Sequence, residues 1–267
     1  MSILIIGFLL AVIVGITLGM IGSGGTILTV PILVYVMAVD PILATTYSLF
    51  AIGVTSLIGG IRGIVNKEAD IKKVFSFGLP SLIVVFITRS YILPLVPEVI
   101  HIGPWSIPQQ VALMLLFALV MLASSISMIR TAQIGLETPK TAHRVPLELI
   151  VLQGAFVGLI TGLVGAGGGF LIIPALVNFY FLTMKKAVAT SLIIITINSC
   201  FGLLGDLEKI QLFDWNLISI YTAGTVIGIF IGFAFANRVS NKFLKVAFGY
   251  VILVIGVYIL LKELFLS

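Results

Sequence analysis

Charge is what this sequence most clearly lacks. Asp, Glu, Lys and Arg make up only 9% of its 267 residues, where a soluble domain carries about a quarter. So few charges cannot coat a water-facing surface, and the lipid bilayer is implied as a second, apolar solvent. A single cysteine, Cys200, excludes an internal disulfide and a multi-cysteine metal site. In an apolar run beside Asn198 and Ser199 it reads as a small packing residue. The two histidines, His101 and His143, fall in connecting loops. No histidine-based constellation therefore lies within the apolar segments, and no enzyme, metal or cofactor is expected. No loop is long enough for a nucleotide domain and no Walker-type motif is present, which argues against ATP-driven transport by this chain alone. Asp40, Glu148 and Asp206 stand at segment ends and no carboxylate falls at a predicted midplane, so a buried proton relay is not expected. The first segment has neither the charged start nor the small-residue cleavage site of a signal peptide, and it reads as part of the fold.

What the sequence has is apolar length. Hydrophobic residues make up 60% and the mean hydropathy is +1.27. Segments near the roughly 20 residues that span the hydrocarbon core are expected at 3–22, 41–60, 74–97, 109–130, 147–166, 188–204, 217–236 and 246–264. Two shorter pieces, 26–38 and 170–182, follow glycine clusters and suit one arm of a hairpin. The fold class expected is an all-α polytopic bundle of 8–10 membrane segments forming one domain over 1–267. The net charge of +5 is spread over short loops, which points to orientation in a membrane and not to nucleic acid.

The chain also repeats itself. Gly15, Gly19, Gly22, Gly24, Gly25 and Pro31 match Gly158, Gly162, Gly165, Gly167, Gly168 and Pro174 at an offset of 143. The match continues through Ala44, Ser48 and Leu49 onto Ala187, Ser191 and Leu192, then Ser56 and Gly59 onto Ser199 and Gly202. If each glycine cluster turns the chain back, twelve Lys and Arg collect on one side, leaving Arg89, Lys209 and Lys262 near the other. If each such stretch crosses once, the separation is poorer. The positive-inside rule thus favours inverted repeats, 1–135 and 145–267, joined by a cytoplasmic linker 131–146. Inverted repeats recur in secondary transporters.

Glycine clusters inside apolar segments are tolerated only within protein or along a cavity. Ser23, Gly24, Gly25 and Thr26, with Gly167, Gly168 and Gly169, would leave backbone N–H groups free at helix starts, where anions are favoured. The other reading is close helix packing, which suits Gly15, Gly19, Gly158 and Gly162 better. Ser48, Ser191 and Asn198 could hydrogen-bond a polar solute, or could join helices at roughly 0.6 kcal/mol each. Arg89 is the one basic residue well inside an apolar run, roughly 22 Å along its helix by rise alone. Two readings stand: it snorkels to the interface, or it draws an anion into the outer vestibule.

The paired motifs Gly19-Met20-Ile21-Gly22-Ser23-Gly24-Gly25 and Gly162-Leu163-Val164-Gly165-Ala166-Gly167-Gly168-Gly169, each with a proline soon after, resemble the TauE/SafE family. The runs at 117–125 and 189–192 and Ala236-Asn237-Arg238-Val239 add to the likeness. In the first half Thr46-Tyr47-Ser48 stands where the second has Ala189-Thr190-Ser191, a departure at the expected site. The resemblance implies an inner-membrane permease that exports sulfite or organosulfonates. The expectation is thus a secondary transporter whose partners are a small anion and the lipid bilayer, with a homodimer as a further expectation about assembly. A passive channel for another small anion or polar solute is the alternative function, and a membrane-embedded enzyme or scaffold a third.

Overall fold

The computed structural model describes residues 2–22, 25–102, 105–134, 146–178, 180, 182–236 and 241–265. The helices are α1 (Ser2–Ile21), α2 (Thr26–Pro31, continued by a π-helical turn over Ile32–Val36), α3 (Pro41–Val65), α4 (Ile71–Ile87, continued by a π turn over Thr88–Ile92) and α5 (Leu93–Leu95). They continue with α6 (Gln109–Ile134), α7 (Leu147–Val164), α8 (Gly169–Asn178), α9 (Met184–Gly205), α10 (Leu207–Ile210), α11 (Trp215–Phe235) and α12 (Asn241–Phe265). Between α5 and α6 the chain forms an antiparallel hairpin, β1 (Val99–Ile102) on β2 (Trp105–Pro108), with His101 opposite Ser106. An apolar-segment reading takes this stretch for a plain loop, because four-residue strands carry too little periodicity to show.

Among the described residues seven helices are long and apolar enough to cross a membrane. The expected span at 147–166 is α7, whose apolar run Glu148–Val164 falls short of that length because Gly165 ends the helix. The chain is a multi-pass membrane protein whose outer surface is apolar and whose largely apolar core also holds many hydroxyl and amide groups. Ile5, Leu9, Ile83, Leu119, Leu152, Phe230 and Val254 face outward, while Thr45, Thr46, Ser48, Thr55, Ser56, Thr190, Ser191 and Asn198 are buried. Cys200 is exposed on this outer surface and is not a packing residue of the core.

Start signals are carboxylates. Asp40 caps α3 by accepting from the backbone N–H of Ile42 and Leu43, ahead of Pro41 in the first turn. Asp70 caps α4 and Asp214 caps α11 in the same way. The stop signals of α1 and α7 are Gly22 and Gly165, at φ +88 and +71. Each donates its N–H at 2.8 Å to the carbonyl four residues earlier, Leu18 or Thr161. This is the left-handed helix end that glycine alone adopts cheaply.

After each stop the chain folds back. Gly25 lies against Val14 and Thr17, and Met37 reaches Gly7 near the start of α1. Gly168 lies against Thr161, and Tyr180 stacks edge-on to Phe77, beside Gly154 near the start of α7. Each glycine cluster therefore opens a helical hairpin whose short arm returns toward the side the long arm came from.

The packing pairs exchange under the sequence offset. In α1 against α11, Gly15 meets Thr225 and Gly228, and Gly19 meets Ile229 and Gly232. In α7 against α4, Gly158 meets Ser81 and Gly162 meets Thr88. Helices α1 and α7 correspond at 143, and α4 and α11 at 144, which carries one set of contacts onto the other. These close approaches leave no room for a side chain, so packing accounts for all four helical glycines. Helices α3 and α9 run antiparallel: Gly59 faces Leu192, Gly202 faces Leu49, and Ser56 and Thr196 hydrogen-bond at 3.0 Å between them. Two further bonds obey the same exchange, Thr55 to Thr225 at 2.7 Å and Asn198 Nδ2 to Ser81 Oγ at 2.8 Å.

Candidate functional site

The seam between α3 and α9 has two unlike ends. At one end, Gly59, Arg62, Gly63 and Asn66 of α3 and its following turn, with Lys185, Val188, Ala189 and Leu192 of α9, line a cavity of about 410 Å³. Gly19, Met20 and Phe233 complete its wall. The Arg62 guanidinium lies 4.1 Å from the Phe233 ring centroid, a cation–π contact. Lys185 pairs with Glu68 at 2.7 Å across the mouth, where Lys185 is largely exposed. Such exposed pairs contribute little to stability.

The opposite end is closed. The π turn of α4 widens the helix just before Pro94, whose ring cannot continue regular helical bonding. It turns Arg89 into the protein, where the side chain is 0% exposed. Arg89 Nη1 donates to Asp206 Oδ2 at 2.6 Å and to Thr45 Oγ1 at 2.9 Å. Asp206, at the C-terminus of α9, is 2% exposed. Its Oδ2 also accepts from Thr46 Oγ1 at 2.9 Å, and its Oδ1 from Lys209 Nζ at 2.7 Å. A charge held in a nonpolar interior is tolerated only when paired and hydrogen-bonded in this manner.

The snorkelling reading of Arg89 is therefore corrected: the side chain is turned into the protein and paired with Asp206, and in this closed arrangement it does not face an open vestibule. Asp206 does stand at a segment end as the sequence indicates, but it is buried there. Its importance was missed because a carboxylate beyond an apolar run looks the same in sequence whether solvated or paired. Thr45, Thr46 and Lys209 were missed as its partners for the same reason.

The remaining candidates lie along the seam or at the glycine turns. Ser48 of α3 is fully buried and its Oγ has no partner among the described residues. Ser191 of α9 is buried, but its Oγ donates to its own helix at Val188 O, 2.9 Å away. Asn198 uses Nδ2 on Ser81 and leaves Oδ1 unpartnered. Gly167 packs on Ile52 and Ile195 with Ser199 Oγ close by, and that hydroxyl too has no partner. The match of Ser56 to Ser199 at offset 143 was the signal for Ser199. Gly168, at φ +68, is held against Thr161, and Gly169 begins α8. Gly25 stands before Thr26, the buried first residue of α2. Ser23 and Gly24 lie outside the described residues, as does His143.

The structure thus brings Arg89 next to the second glycine turn: a Cβ added at Gly165 would lie 2.5 Å from Arg89 Nη2. Ser48 stands one helical turn beyond Thr45 on the same face of α3, and Ile52 one turn further. The first glycine turn sits at the other end of the seam, where a Cβ added at Gly22 would lie 2.5 Å from Val188 Cγ1. Among the described residues no group of three or more His, Cys, Asp and Glu could hold a metal ion.

The family model described as sulfite exporter TauE/SafE matches residues 7–259. A probable membrane transporter protein of Xylella fastidiosa is 27% identical, over 94% of this chain and 92% of its own length. Others of that description are 26% identical in Methanocaldococcus jannaschii, over 94% and 95%, and 25% in Bacillus subtilis, over 97% and 99%. No solved structure matches the chain. With a family match across nearly its whole length and a multi-pass helical fold beneath it, the chain belongs to the TauE/SafE sulfite exporter family and is a membrane transporter, not an enzyme.

Proposed function

We propose that this transporter moves small sulfur-containing anions, sulfite or short organosulfonates, outward across the inner membrane by alternating access. The observation that carries the reading is the α3–α9 seam, open and basic at one end and sealed by Arg89 and Asp206 at the other. A passive pore needs both ends open at once, whereas a carrier rests with one closed. Between the ends lie buried oxygens without partners, Ser48 Oγ, Ser199 Oγ and Asn198 Oδ1. An unsatisfied buried polar atom is costly, so a polar solute in the seam would be stabilised by the hydroxyls, and by Asn198 Oδ1 only through a donor of its own. The two hydroxyls would donate to an anion's oxygens, and the free donors of Arg89 would add charge.

The two halves, 1–135 and 145–267, act in this reading as inverted repeats joined through the linker 131–146. The antiparallel course of α3 and α9 supports that relation, since an axis exchanging two antiparallel helices lies perpendicular to them. Rocking one half against the other would then exchange the open and closed ends. The open end carries Arg62, Lys67 and Lys185, so the positive-inside rule assigns it to the cytoplasm.

The test is flux of sulfite and a short organosulfonate in proteoliposomes, with and without an imposed pH gradient. Saturable, trans-stimulated flux is expected. Linear flux without trans-stimulation would identify a channel, and absence of flux for both anions would discard this substrate class.

A further inference from the structure

The cluster that seals the far end of the seam has more positive charge and more donors than its own carboxylate uses. Arg89 and Lys209 supply two cations and Asp206 one carboxylate, which leaves one positive charge. Glu208 lies exposed beside them on α10. Arg89 Nη1 carries both of that side chain's bonds, to Asp206 and Thr45. Its Nε and Nη2 are buried and have no partner among the described residues. A guanidinium presents its donors as a planar fork suited to two oxygens of one oxyanion. Here one oxygen of Asp206 engages one arm of that fork, and the other oxygen is drawn to Lys209.

The positions related by the offset show what is specific to this end. Asp206 corresponds to Gly63 at 143, and Arg89 to Phe233 at 144. Gly63 and Phe233 both line the open cavity. The backbone frame at the two ends is thus shared, and only one end holds a carboxylate on a guanidinium.

We propose that Arg89, Lys209 and Thr46, with Thr45 holding Arg89 in place, form an oxyanion subsite that the chain's own Asp206 carboxylate fills in the closed state, and that a carried carboxylate, sulfite or sulfonate group takes its place on Arg89 when that end opens. This rests on the anion-carrier reading and makes it specific: the anion reaches Arg89 by replacing Asp206. Exchange of one oxyanion for another keeps the buried guanidinium compensated throughout, which separation of the pair without a replacement does not. No covalent step is involved.

The experiment is chemical rescue in detergent, read as thermal stability. Asp206→Gly copies the residue at the related position and leaves a space the size of formate. Its Tm is expected to fall, and millimolar formate or sulfite to restore most of the loss. Arg89→Gln/Asp206→Gly is expected not to respond. An Asp206→Gly Tm no more sensitive to either anion than the wild type, or an equal response in the double variant, overturns the proposal. Should Asp206→Gly fail to insert, Asp206→Asn keeps the side-chain shape. By calorimetric titration it should bind sulfite about tenfold tighter than the wild type, the order expected for removing one like charge beside an anion. Unchanged affinity there overturns the proposal equally. Because these readouts need no transport, rescue without flux keeps the subsite and discards the cargo, and flux without rescue does the reverse.

Discussion

At the Arg62 end of the seam, glycine and alanine pack together beside an open cavity, and the local cation rests on an aromatic ring. At the Arg89 end the same backbone frame is closed, and threonines, an arginine, an aspartate and a lysine fill it. Gly63 opposite Ala189 becomes Asp206 opposite Thr46, and Val188 on Gly22 becomes Thr45 on Gly165. The comparison teaches that near-symmetric helix packing can hold two ends of different chemistry. A cation–π contact at an exposed site contributes about 0.5–1 kcal/mol and can open and close with little consequence. A buried ion pair contributes little net stability but resists separation strongly, because either partner alone is a bare charge in a poor solvent.

The largest expected effect tests that contrast directly. Arg89→Gln leaves Asp206 buried with only Lys209 and a threonine, and should cost about 3–5 kcal/mol. Arg62→Gln should cost no more than about 1 kcal/mol. Denaturation of both variants in one detergent checks it, and equal losses would erase the distinction between the ends.

That contrast shows how far the sequence could be read. The doubled glycine motifs, the hairpin turns they make and the packing role of Gly15, Gly19, Gly158 and Gly162 were all legible, because glycine spacing reports close backbone approach directly. So was the family. The gate was not. Arg89 stood out by its position in an apolar run, yet nothing local ties it to Asp206, 117 positions away. The pairing depends on a π turn that rotates Arg89 inward and on α4 lying beside α9, both tertiary facts. Ser191 illustrates the opposite error: its match to Ser48 is real, but it bonds to its own helix while Ser48 does not. Sequence equivalence passes on a position, not a hydrogen-bonding state.

A second prediction sharpens the open-versus-closed assignment. In a Cys200→Ser background, which removes the exposed native thiol, Val188→Cys should react with a water-soluble maleimide, because Val188 lines the cavity. Thr45→Cys, at the related position but 1% exposed, should stay unlabelled. Labelling at both would mean that the far end opens without substrate, and labelling at neither would mean that the cavity does not admit solvent.

The smallest effect separates the two interhelical bonds that exchange under the offset. Thr55 donates to its own helix at Ala51 O as well as meeting Thr225, and Thr225 is likewise backed by Thr222 O. Replacing Thr225 with Val leaves Thr55 its helical acceptor and should cost roughly 0.6 kcal/mol, the usual worth of such a bond in a membrane. Asn198 has no such reserve: Oδ1 is already without a partner, so Ser81→Ala strands the whole buried amide. The cost of an orphaned buried polar group is about 1–3 kcal/mol. The Asn198–Ser81 bond should therefore be the stronger in a side-by-side denaturation series. If a transported anion accepts from the amide Nδ2 that Ser81→Ala frees, saturating sulfite should narrow the gap between the two variants, and a gap that ignores sulfite would remove Asn198 from the anion's path.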